Sequence, residues 1–211
     1  KDVLVSGTKN MFSEILPILK APVSRIRKIS ESGSGAVGIE FIVAKTIVFL
    51  LVVLIAMAVI AGKINDATHG YAEVKLPYFQ AILITLLLTA GADFLEAVML
   101  KAFSGAFGGR TNYNTMLNVI GARCIYDTCV FIIVVILALM AWEVALGAFA
   151  LLSPISIYIE FGAYQGSVVQ MNEDRKPYAY FIAKLCMSII TALVVYLIAR
   201  SIISAAISNI F

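Results

Sequence analysis

Phe41–Gly62 reads FIVAKTIVFLLVVLIAMAVIAG and holds one charged side chain, Lys45. A helix needs about 20 mostly apolar residues to cross the hydrocarbon core of a bilayer, and this run meets that length. Four more segments do the same: Tyr78–Lys101, Thr115–Ala138, Trp142–Gly166 and Pro177–Phe211. The last exceeds the ~30 Å core at 1.5 Å per residue, so it must tilt, bend or run on along the surface, with Arg200 marking its exit. Composition agrees with this reading. The 211 residues are 61% apolar and 14% charged, with a mean hydropathy of +0.96, whereas soluble domains hold about 45–50% apolar and about 25% charged residues. The chain therefore reads as an all-α polytopic membrane protein, five transmembrane helices preceded by an amphipathic interfacial helix. Residues 1–37 form a cytoplasmic amphipathic lead-in and hinge, and residues 38–211 the transmembrane domain. No hydrophobic run lies in the first 35 residues, so no signal peptide is expected.

The connections set topology. The link near Met140–Glu143 is very short, which makes spans three and four an antiparallel hairpin. Lys and Arg outside the spans concentrate on one side: Lys1, Lys9, Lys20, Arg25, Arg27 and Lys28, then Lys101, Arg110, Arg175 and Lys176, against Lys63 and Lys75 opposite. Positive charge favours the cytoplasm, so the N-terminus is expected inside and the C-terminus on the opposite side. Tyr71, Tyr78 and Trp142 fall at the outer boundary, and Tyr113, Tyr164 and Tyr178 at the inner one.

Before the first span, Met11, Ile15, Leu19, Val23 and Ile26 recur at spacings of four and three, an apolar stripe on a helix. Lys20, Arg25, Arg27 and Lys28 occupy other positions, a pattern that suits a helix lying on anionic lipid. Packing of the same helix against the bundle is an equal and compatible reading. Pro17 and Pro22 should kink or divide it. Ser30–Gly38, rich in Gly and Ser, reads as a flexible hinge.

Seven ionisable residues interrupt the spans: Lys45, Asp93, Glu96, Arg123, Asp127, Glu160 and Lys184. Each costs about 3 kcal/mol to insert into hydrocarbon. Counted from the segment ends, most lie roughly 7–12 Å below the N-terminal side, with Asp127 deepest. Asp93 and Glu96 share a helix face, as do Arg123 and Asp127. Arg123 is expected to pair with Asp93, with Asp127 or with both. The candidate polar cluster is Asp93, Glu96, Arg123 and Asp127, with Glu160 at its rim, and Lys45 and Lys184 near enough to the boundary to snorkel away. Two readings are open. The cluster is a structural ion-pair network, or it lines a cytoplasm-facing cleft that binds or moves a small ligand.

Gly162 and Gly166 form a GxxxG pair suited to close helix approach, and Pro154 should kink span four and free a backbone carbonyl. Cys124, Cys129 and Cys186 lack metal-site spacing and read as packing residues, and His69 lies in a polar loop. There is no GxSxG, HExxH or P-loop motif, so neither an enzyme nor a cofactor is expected. Basic residues outside the spans are too few for a nucleic-acid surface.

Three features resemble the Yip1 domain family of five-span membrane proteins. One is the pre-membrane stretch Ile18–Ile29, a Pro followed by a basic amphipathic turn. Another is Phe107-Gly-Gly-Arg-Thr-Asn-Tyr113, leading into the helix that carries Arg123. The third is five spans with a cytoplasmic N-terminus. The resemblance carries over Gly108 and Gly109 as family loop residues. It implies a non-enzymatic role in membrane organisation and trafficking through partner proteins, self-association or, as in some bacterial members, an accessory role beside an ABC exporter. The long N-terminal tail of eukaryotic members is not seen, so a bacterial plasma membrane is expected and Rab binding is not. The other expectation is a small transporter or lipid-handling protein built on the charged cleft.

Overall fold

Every span contains a stretch with few charges, and a run of this length in hydrocarbon satisfies its own backbone as a helix. The computed structural model describes residues 13–31, 33–67 and 77–208. Met11, His69, Tyr71 and Lys75, like Lys1 and Lys9, lie outside them. Residues 13–20 are helical. Then come α1 (Pro22–Glu31), α2 (Ala36–Ala67), α3 (Tyr78–Ala106), α4 (Tyr113–Met140), α5 (Trp142–Ser167) and α6 (Arg175–Ser208). The helices α2 to α6 are each long and apolar enough to cross a membrane. Among the described residues there is no strand, only an isolated antiparallel bridge between Arg110 and Val169. The fold is all-α and multi-pass.

Local chemistry explains the breaks. Pro22 opens α1 at the position where a missing N–H costs nothing, and the helix preceding it stops before Ala21. Asn112 caps α4, its Oδ1 accepting from the Thr115 N–H at 2.7 Å. A single extended residue, Ala141, joins α4 to α5 and makes them antiparallel neighbours. Pro177 is confined to the first turn of α6, which runs on unbroken to Ser208. Within α3, Leu87–Gly91 is a π turn. Its extra residue shifts the phase of the helix just before Asp93.

Helix α4 is the hub. It packs on α1, α2, α3 and α5, and its first half, Thr115–Cys124, is buried throughout. The approach to α2 is close because two glycines meet. A Cβ at Gly38 would lie 2.3 Å from the Leu117 carbonyl oxygen, and one at Gly121 would lie 2.4 Å from the Gly38 Cα. Asn118 locks this crossing. Its Oδ1 accepts from the Gly38 N–H at 3.0 Å, and its Nδ2 donates to the Ser34 carbonyl at 2.6 Å. Asn114 also donates to the Gly33 carbonyl. The stretch 33–38, whose composition reads as a hinge, is thus a pinned turn: the side-chain amides of α4 satisfy its backbone.

The amphipathic helix α1 lies against α4 and α5, with Ile26 and Ile29 buried. The Gly162–Gly166 pair serves this contact rather than a meeting of two spans. A Cβ at Gly162 would lie 2.9 Å from Val23 Cγ2, and one at Gly166 would lie 1.9 Å from Arg27 Nε. Tyr126 adds a hydrogen bond to the Ile18 carbonyl at 3.0 Å. Of the basic residues, Lys20, Arg27 and Lys28 remain exposed, while Arg25 forks onto Glu14 with two contacts of 2.5 Å. Tyr164, expected at the boundary, is fully buried instead and bonds Ser104 at 2.8 Å.

Replacing Gly121 by Val should force α2 off α4 and destabilise the purified protein by about 1–3 kcal/mol. Gly147 has open space around its Cα, so Gly147→Ala should be neutral or slightly stabilising. Thermal melts of the two variants in one detergent would compare them.

Candidate functional site

Five helices bring their ionisable side chains to one place. Arg123 of α4 is at the centre. Its Nη2 donates to Asp93 Oδ1 at 2.9 Å, and its Nη1 donates to Glu96 Oε2 at 2.9 Å and to Glu160 Oε2 at 2.6 Å. Its Nε lies 2.9 Å from Asp127 Oδ2 but off the hydrogen-bonding axis, a charge contact only. One guanidinium therefore meets four carboxylates, from α3, α4 and α5.

Two lysines complete the network. Lys45 of α2 pairs with Asp93 and stands 4.0 Å from Asp127 Oδ2. Lys184 of α6 pairs with Glu96 and with Glu160 Oε2, the latter at 2.6 Å. The Cys124 thiol donates to Asp93 Oδ2 at 3.5 Å, so it is more than the small hydrophobe its sequence setting suggests. Burial is nearly complete: Glu160 is 0%, Asp93 3%, Lys45 6%, Glu96 7% and Arg123 8% exposed.

All seven charges read from the sequence thus meet. Arg123 engages both Asp93 and Asp127 and also Glu96 and Glu160. Three placements differ from expectation. Lys45 and Lys184 do not snorkel away, because carboxylates lie within reach inside the bundle. Glu160 is fully enclosed rather than at a rim. Asp127, counted as deepest, is the most accessible of the acids, its side chain 26% exposed. Depth along a helix is not burial, and Asp127 lies one turn past the packed half of α4.

Leu100, Ile120, Tyr164, Tyr180 and Ala183, all 0% exposed, belong to the same buried core as Ile26 and Ile29 of α1. A cavity of about 750 Å³ borders the network. Lys45, Asp93, Glu96, Arg123 and Lys184 line it, and Leu88, Met187, Thr191 and Val195 continue it. The cavity at the network thus extends along α6 from Phe181 to Val195.

Chemically, the acids face cations of the same chain. Among the described residues no group of three or more His, Cys, Asp or Glu side chains is placed to hold a metal ion. The free thiols are Cys124, Cys129 and Cys186. The two loop glycines do separate jobs. Gly108 has φ +85°, a left-handed conformation that glycine adopts without strain. Gly109 provides close approach, since a Cβ there would lie 2.7 Å from Val168 Cγ1. Sequence reading missed Gly38, Gly121 and Asn118, which set the α2–α4 crossing and so the position of Arg123. Their only signal was polar or minimal side chains inside apolar runs.

The fold and network define a polytopic all-α membrane protein with one intramembrane ion-pair network. No family model, curated protein or solved structure matches the chain.

Arg123→Gln should cost about 3–5 kcal/mol, because it strands buried carboxylates. Glu160→Gln should cost clearly less, since three cations then face three acids. Detergent-solubilised melts of both variants would test the order, and an equal cost would refute the central role of Arg123.

Proposed function

We propose that this chain is a non-enzymatic, Yip1-like membrane protein that acts through helix contacts with itself or another membrane protein. Its place would be the plasma membrane, with the N-terminus cytoplasmic. Its role would lie in membrane organisation or trafficking, or beside a transporter such as an ABC exporter. The observation that carries this reading is the self-sufficiency of the charge network. Each carboxylate already has a cation partner, a pattern suited to fixing helix register more than to receiving substrate. The uncovered helix faces support it too. Val43, Ile47, Leu51, Ile55 and Val59 form an exposed ridge on α2, and Phe181, Leu185, Ile189, Leu193 and Leu197 form one on α6. Such ridges suit lipid or a neighbouring span.

A second reading draws on the 750 Å³ cavity. Its charged floor and apolar walls suit a small amphiphile, and the chain would then handle lipid or carry a small solute.

Mild solubilisation followed by mass-resolved chromatography and partner identification should give an oligomer or a stoichiometric membrane partner. A lone monomer at all concentrations would sink the scaffold reading. In reconstituted vesicles, Asp93→Asn or Asp127→Asn should leave a scaffold's partner binding intact if the fold survives. Loss of a measurable solute or lipid flux with unchanged melting would favour the second reading.

A further inference from the structure

A separate cavity of about 460 Å³ lies at the α1 end. Arg27 and Ser30 of α1 line it, with Arg110 and Thr111 from the loop before α4, Thr115 from the first turn of α4 and Ser167 from the last residue of α5. Neither guanidinium has an ion pair or hydrogen bond among the described residues. Glu31 is the one carboxylate in the lining, and it forms no ion pair with either arginine. The Thr111 hydroxyl oxygen is shut off from solvent and has no partner. Two exposed arginines without an ion-pair partner among the described residues thus converge on one concavity, free to meet an anion that enters it.

The arginines are held there by construction. Arg27 lies on Gly166, where a Cβ would be 1.9 Å from Nε. Arg110 is fixed through its backbone. Its N–H donates to the Val169 carbonyl at 2.8 Å, and its own carbonyl accepts from the Val169 N–H at 3.1 Å. Gly108 turns the chain into that bridge and Gly109 seats it against Val168 and Met171. The first N–H groups of α4 add positive potential at the same place.

We propose that this cavity binds a phosphate group, with Arg27 and Arg110 presenting guanidinium forks to its oxygens and the unpartnered Thr111 hydroxyl donating a hydrogen bond. Arginine forks match phosphate geometry and give charge-assisted bonds. The phosphate belongs either to an anionic phospholipid headgroup or to a dissolved phosphomonoester, which share this chemistry. The site is apart from the charge network and stands whether or not the chain acts as a scaffold.

The test uses the full chain in neutral detergent. Retention of phosphatidic acid over phosphatidylcholine is read by native mass spectrometry, and glycerol 3-phosphate is titrated in parallel by thermal shift. Arg27→Gln and Arg110→Gln should each weaken the bound probe at least about tenfold, the size of one charge-assisted bond. Lys20→Gln and Lys28→Gln, exposed nearby and outside the lining, should change it less than about twofold. Phosphatidic acid alone being held points to the bilayer, and binding of the soluble ester points to a dissolved ligand; either supports the site. Binding of neither probe, or an equal loss with Lys28→Gln, overturns it. Melting curves report folding of each variant, and Arg110→Gln, whose backbone bridge is retained, carries the test if Arg27→Gln does not fold.

Discussion

A guanidinium enclosed by four carboxylates is the constraint on which this bundle rests. Removing a cation from water is expensive, and the cost is offset only when fixed partners surround it. Arg123 finds them on α3, α4 and α5, and Lys45 from α2 and Lys184 from α6 reduce the surplus acid to one. Each spanning helix is thereby tied to a common point. The neighbouring architecture serves that meeting. The Gly38–Gly121 contact draws α2 against α4 so that Lys45 reaches inward. The π turn in α3 sets the phase in which Asp93 and Glu96 face the centre. The one-residue link at Ala141 holds α5 beside α4, so that Glu160 comes alongside Arg123.

The N-terminal helix is part of the same construction. Its apolar side packs on α4 and α5, and two glycines of α5 make room for Val23 and Arg27. Amphipathicity says that one side of a helix avoids water. It does not say whether lipid or protein supplies the cover, and here protein supplies much of it. Lys20, Arg27 and Lys28 remain outward, so contact with a charged surface is compatible with that packing.

Much of the fold was legible because hydrocarbon leaves so few options: long apolar runs must be helices. The residues of the charge network were legible for a related reason, since each stands out against its run. Their roles were less so. Lys45 looked like a boundary residue because span one was counted from Phe41, yet α2 begins at Ala36. Lys184 was misjudged because its partners, Glu96 and Glu160, lie on other helices and no spacing within its own span announces them. Gly162 and Gly166 announced a close approach without naming what approaches. Gly38, Gly121 and Asn118 were hidden because their contact joins residues some eighty positions apart, and no local spacing encodes it.

The network also bears on how the chain is made. Spans that enter a bilayer one after another carry their charges with them, and the acidic α3 precedes the helices that hold Arg123 and Lys184. Only Lys45 is then available to Asp93, and Glu96 has no cation of its own. Insertion in strict sequence would leave that helix poorly tolerated by lipid. The arrangement of partners therefore favours late, collective release of the helices into the membrane, with α6 closing the set. On this view the order in which the charges are encoded is a schedule for biogenesis as well as a plan for the folded state.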